Sequence, residues 1–331
     1  EALRLRDPAA LAAFKEEHAE EVGFWAFVQY EFDRQWRALH AYAKSKGVSI
    51  MGDIPIYVAA DSADAWAGRE LFETDADGKP RRVAGCPPDY FAASCGATPC
   101  MIGTTTAAPA TPGGSAASAT PCSSTTSCAS TTSAASTPTG PSRLGKAPPA
   151  TAAGRTAPAW TCSAPCELPI VAEDLGEMFD SVRQLLADSG FPGMKVLQFA
   201  FTGEDSVDLP HNYPRNCVAY PGTHDNNTLA GWFGEELTPE YRQQAREYFA
   251  LNKAEGELRG MLRGVMASTA ALAIIPMADW LEEPSASRMN TPGVAQGNWQ
   301  WRVDEKKLTP ALAREIKAMT VRYFRAPATR K

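Results

Sequence analysis

Residues 92–166 contain no Asp, Glu, His, Phe, Tyr or Val and consist mostly of Ala, Thr, Ser, Pro and Gly. A stretch so poor in large apolar side chains cannot bury enough surface to offset the entropy of ordering it, so this composition predicts disorder. The tract divides the 331-residue chain into three parts, with ordinary globular sequence over 1–91 and 167–331 on either side. It also distorts the cysteine count. Six of the eight cysteines (Cys95, Cys100, Cys122, Cys128, Cys162 and Cys166) lie inside it. The two that remain, Cys86 and Cys217, are the sparse usage expected of a cytoplasmic protein rather than a disulfide framework.

The flanks alternate helix and strand. Apolar residues recur at helical spacing over 9–46 (Phe24, Phe27, Val28, Phe32, Trp36), and Gly47 supplies a stop. Short apolar runs at 48–52, 168–172, 194–201, 217–220 and 272–277 read as strands, with a helix over 178–188 closed by Gly190 and Pro192. Fully apolar strands separated by helices predict a parallel sheet covered on both faces. Acidic residues stand just past several strand ends: Asp53, the pair Glu173 and Asp174, Asp225, and Asp279. One such acid is most simply a helix cap. Four polar strand ends point instead to the mouth of a (β/α)8 TIM barrel, where such folds keep their active sites. The fold expected is therefore α/β, an incomplete barrel interrupted by the tract. Because the chain opens on Glu1 inside a helical pattern, the early strands are expected to lie on a longer chain.

Partners are bounded by charge and hydropathy. A net charge of −6 gives no basic surface for nucleic acid. No apolar run approaches the roughly 18 residues of a membrane span. Paired carboxylates at a barrel mouth suit glycosidic chemistry, one acting as nucleophile or base and the other as acid. Nothing in the pattern indicates a metal or an organic cofactor.

Local sequences are more specific than this spacing. MGDIPIYVAADSADAW (51–66), AGCPPDYF (84–91), LPIVAEDLG (168–176), GFPGMKVLQFAF (190–201), LPHNYPRN (209–216), GTHDNNT (222–228), RMNTPG (288–293) and GNWQWR (297–302) resemble, in order, the amylomaltase (4-α-glucanotransferase, glycoside hydrolase family 77) family. The resemblance implies a retaining double displacement that moves α-1,4-glucan segments between maltooligosaccharides, with glucose as an acceptor. It implies that Glu173 is the general acid/base, whose proton must be held by burial and nearby negative charge. Asp225 becomes the carboxylate that holds hydroxyls of the distorted ring, with His224 as its sugar-binding neighbour. Asp53, Asp174 and Asn290 become polar contacts at the cleavage point. Asp89, Tyr90 and Phe91 would begin a loop covering the glucan. Trp299 and Trp301 offer stacking faces, although buried packing is the reading preferred for both. His40 and His211 have no motif role.

The nucleophile implied by the resemblance belongs to a VRIDHFRGF motif on the strand before Glu173. This sequence lacks it, and the Ser/Thr/Ala tract stands in its place. Such a tract is what a GC-rich gene gives when read out of register. Let each codon take the free third base of one residue and the first two bases of the next. Residues 122–140, CSSTTSCASTTSAASTPTG, then decode as LLLYDLVRIDHFRGFDSYW. The same shift turns 95–103 into LWGNPLYDW and 160–163 into MDLF. Each displayed residue limits the shifted codon to about four amino acids, so nine matching positions in a row make chance a poor explanation. The shift begins near Ala93 or Ser94 and is reversed near Cys166. The Asp codon falls across Ser130 and Thr131, whose hydroxyls are not carboxylates and which are expected to lie outside any folded strand. The chain as written is therefore expected to be inactive. A hydrolase of the wider α-amylase group is the alternative enzyme. A mucin-like linker joining two binding modules is the non-enzymatic one, though each half would then expose sheet edges.

Overall fold

The computed structural model describes residues 1–54, 59–72, 74–79, 128–130, 170–175, 180–201, 203, 206–294 and 296–326. It divides into two compact units, Glu1–Gly190 and Phe191–Lys331.

The first unit opens with α1 (Pro8–Glu17) and α2 (Ala19–Ser45). Asp7 caps α1 by accepting from Ala10 N at 2.9 Å, and Pro8 fits the first turn, where no N–H is needed. The single helix expected over 9–46 is broken at His18, whose backbone (φ −111°, ψ 34°) leaves the helical region while its ring packs on Phe14 at 4.3 Å. Gly47 ends α2 with φ 72°, a left-handed turn that suits glycine. The helical spacing of α2 does form a helix, but none of its residues is buried. After it come β1 (Gly52–Ile54) and α3 (Ala63–Ala67), the latter capped by the Ser62 hydroxyl at 3.1 Å from Ala65 N.

Three short parallel strands make this unit's sheet: β1, β2 (Cys128–Ser130) and β3 (Ile170–Ala172), in that order. The register pairs Asp53 with Ala129 and Ala129 with Val171, then Ile54 with Ser130 and Ser130 with Ala172. Two expectations are corrected here. Asp53 is the middle residue of β1 rather than the first beyond it, because the strand starts at Gly52 and runs on to Ile54. Ser130 belongs to a strand, so the tract is not without folded backbone at 128–130. The rest of the tract lies outside the described residues. The helix α4 (Asp180–Ser189) follows β3 and ends at Gly190, φ 67°.

The second unit holds β4 (Gly193–Val196), β5 (Cys217–Tyr220) and, beyond α5 (Leu229–Gly231), α6 (Pro239–Tyr248) and α7 (Glu257–Ala267), the two-residue β6 (Leu272–Ala273). The order is β4-β5-β6, all parallel. Then come α8 (Met277–Trp280) and α9 (Pro310–Arg322). The strand expected over 194–201 stops at Val196. Gln198 N turns to Pro221 O at 3.1 Å, and the chain enters a 3-10 turn at Leu197–Phe199. The strand expected over 272–277 is cut short in the same way, since Met277 already starts α8. A core of fully buried Leu197, Cys217, Ala219, Leu229, Met261, Leu262 and Val265 packs α7 and the start of α5 on the sheet. Burial on this scale, at about 1.5–3 kcal/mol per large side chain, is what fixes the loops following the strands.

Candidate active site

The expected site residues fall in both units. In the first, Glu173 and Asp174 follow β3 directly and are partly buried. They sit where a parallel sheet ends and the chain is free to turn, the position at which the sequence placed them. Asp53 is level with Val171 two strands away, so it lies two register steps before Glu173 rather than beside it. Asp89, Tyr90 and Phe91 lie outside the described residues.

In the second unit three expected residues come together after β5. The Asp225 carboxylate receives the Asn290 amide on Oδ1 at 2.5 Å, and His224 Nε2 stands 3.4 Å from the same oxygen. Asn290 N donates to His224 O at 3.1 Å, so the two segments are joined through backbone as well as side chain. The hydrogen bonds described use Oδ1, and the Asp225 side chain stays 43% exposed, so the carboxylate faces solvent with an oxygen to offer to hydroxyl donors.

Several residues to which sequence reading gave no role hold this arrangement. Arg288 Nη2 donates to Asp225 O at 2.6 Å and its Nε to Asn290 O at 2.9 Å, clamping both segments with one planar guanidinium. Its signal was present in RMNTPG, where only the asparagine was assigned. Asn226 Oδ1 accepts from both the N–H and the hydroxyl of Thr223 at 2.9 Å, a side-chain-closed turn of the kind Asn favours. The buried Asn227 donates to Glu236 at 2.8 Å and Ser285 at 3.1 Å, while Gln198 donates to its carbonyl at 2.8 Å. Asp279, expected at the mouth just past a strand end, instead lies inside α8 and is buried, accepting from Leu229 N at 2.8 Å and tying α8 to the start of α5. Every one of these bonds is long-range or loop-local, and none follows from hydrophobic periodicity.

Trp299 departs from expectation. Its indole is 54% exposed rather than buried, and Trp301 is only partly buried. The Trp299 ring lies 5.1 Å from His224 at 41°. Its backbone has φ 62°, the left-handed region that a bulky side chain enters at a cost of about 1–3 kcal/mol.

Among the described residues no three His, Cys, Asp or Glu side chains gather as a metal site requires, and no described helix is long and apolar enough to cross a membrane. A carboxylate held beside an amide, an imidazole and an exposed indole can bind a polyhydroxylated ligand: polar groups for hydroxyls, an aromatic surface for C–H faces.

Comparison with known proteins identifies the family. The 4-alpha-glucanotransferase family profile (glycoside hydrolase family 77) matches residues 1–95 and 151–308, and leaves the interval between unmatched. A 4-alpha-glucanotransferase of Streptococcus pneumoniae is 37% identical over 97% of this chain, and one of Clostridium butyricum is 34% identical over 98%. This chain spans 65% of the length of the first and 68% of the second. An amylomaltase from Streptococcus agalactiae, solved in complex with acarbose, superposes with a TM-score of 0.84 at 30% identity, covering 98% of this chain and 68% of that one. The chain belongs to the 4-alpha-glucanotransferase family, glycoside hydrolase family 77.

Proposed function

We propose that the parent gene product is a retaining 4-α-glucanotransferase acting on α-1,4-glucans and maltooligosaccharides, and that the chain as written has lost its nucleophile to a reading-frame error. Glu173 serves as acid/base, and Asp225 with His224 and Asn290 holds sugar hydroxyls. Asp53 and Asp174 assist at the cleavage point, and Asp89, Tyr90 and Phe91 begin the covering loop. The protein is cytoplasmic.

One observation carries the reading. β2 ends at Ser130, which pairs with Ala172, the residue just before Glu173. The next residue in the sequence is Thr131, and the junction of Ser130 and Thr131 is where the shifted frame spells Asp. Neighbouring strands run about 4.8 Å apart. Acids placed one step past two paired strands therefore meet the separation of about 5–5.5 Å that retaining glycosidases use, not the wider gap of inverting ones. The unmatched interval of the family profile opens at residue 96, close to the proposed start of the shift, and closes at 150, inside the tract and before its proposed end near Cys166.

Expressed from the gene with its frame restored, the protein is expected to convert maltotriose into glucose together with longer glucans. Glucose and maltose without any longer glucan would assign it to the hydrolases instead. No conversion at all by the repaired product would refute the glucan reading.

A further inference from the structure

Trp299 combines three observations that a packing role leaves unexplained. Its ring is 54% exposed, so it does not fill a core. It stands 5.1 Å from His224, whose Nε2 is 3.4 Å from Asp225 Oδ1, so the ring borders the polar cluster. Its backbone sits at φ 62°, where glycine would be free of strain.

That conformation is held from several directions. Trp299 N donates to Met289 O at 2.7 Å. The neighbouring Asn298 accepts from Thr291 N at 2.9 Å and donates to Val294 O at 2.8 Å, which closes the 291–298 loop on itself. Gly293 (φ 78°) and Gly297 (φ 84°) supply the turns that let it close. Backbone strain persists only where the surroundings over-determine it, and it concentrates where a side chain must be presented. Here what is presented is an exposed indole.

We infer that Trp299 is a sugar-binding platform, its indole receiving the apolar face of a glucose unit whose hydroxyls reach Asp225, Asn290 and His224. A pyranose has C–H bonds on its faces and hydroxyls around its rim, so it needs an aromatic surface and polar groups side by side. This inference rests on the glucan reading above and assigns a residue to it.

Binding of maltotetraose and of acarbose to the chain, by calorimetry or saturation-transfer NMR, tests it when paired with thermal melting of Trp299→Gly, Trp299→Phe and Asp225→Ala. Trp299→Gly is expected to weaken binding about tenfold or more while the melting temperature holds or rises by about 2 °C, because the strain is released as the platform is lost. Trp299→Phe, which keeps an aromatic face, is expected to stay within about threefold of the parent. A purely structural tryptophan cannot give this opposition between affinity and stability. Binding unchanged in Trp299→Gly, or a melting temperature that falls together with affinity, overturns the inference. If Asp225→Ala abolishes binding while Trp299→Gly does not, the glucan reading survives and the platform does not. Binding that neither substitution weakens, or none by the parent chain, overturns both.

Discussion

Unchanged, the chain is expected to disproportionate maltotriose at least ~10⁴-fold more slowly than a family member with its nucleophile intact. Double displacement needs a group that attacks the anomeric carbon and later leaves it. A carboxylate does both, since a glycosyl ester has a good leaving group. The hydroxyl of Ser130 or Thr131 cannot replace it, because a glycoside formed on an alcohol is an acetal as stable as the substrate. In the proposed assignment Glu173 would still protonate the departing oxygen and Asp225 still hold the ring, so some positioning would remain without a covalent partner. Glucose release and chromatography of longer glucans measure this directly. Turnover within tenfold of an intact relative would mean that the missing acid is supplied elsewhere in the chain.

Asp279→Asn is expected to stabilise the second unit by about 3 kcal/mol at pH 8 and to make no difference below pH 4. Asp279 is 3% exposed, and burial pushes its carboxyl up from 3.8 to about 6, partly opposed by the hydrogen bond from Leu229 N. Between those two values the unfolded chain has released this proton while the folded one retains it. The folded state is therefore favoured most below the unfolded value and loses that advantage as pH rises through about 6. Asparagine keeps an oxygen to accept from Leu229 N and carries no charge to desolvate. Urea unfolding followed through the buried Trp232 and Trp280 would report the difference at each pH. A gap of the same size at every pH would show that the carboxyl's ionisation contributes nothing.

What the sequence makes legible follows from how local each cause is. Cys217–Tyr220 was read correctly because a continuous apolar run bounded by turns is its own signal, and Glu173 was placed at a strand end for the same reason. Conversely, β4 ends at Val196, three residues into the apolar run, where the Val196 N–H goes to the carboxylate of Asp208 at 3.0 Å and Gln198 N to Pro221 O at 3.1 Å, bonds to residues well along the chain. The break at His18 has no glycine or proline to announce it. Arg288 was passed over because its work is done on two carbonyls, which no motif displays. Trp299 is the instructive case. Gly297-Asn298 is a turn signal, and a tryptophan placed directly after a turn is presented rather than packed. The aromatic residues of α2 were legible as helix but not as exposed, because periodicity reports which residues share a face and not what covers it.

The coding DNA decides whether the tract is a displaced reading frame. If the shift is real, no base remains to be chosen. Residues 128–131 must be written TGC-GCA-TCG-ACC, so that the displaced frame spells Val-Arg-Ile, then the GAC of the aspartate, then the start of a histidine codon. The same frame must stay open from Ser94 to Cys166. Sequencing between the codons for Tyr90 and Glu173 is expected to give this result, with one base gained or lost at each end of the tract relative to intact family genes. A codon other than TCG for Ser130, or a stop in the displaced frame, would contradict the account.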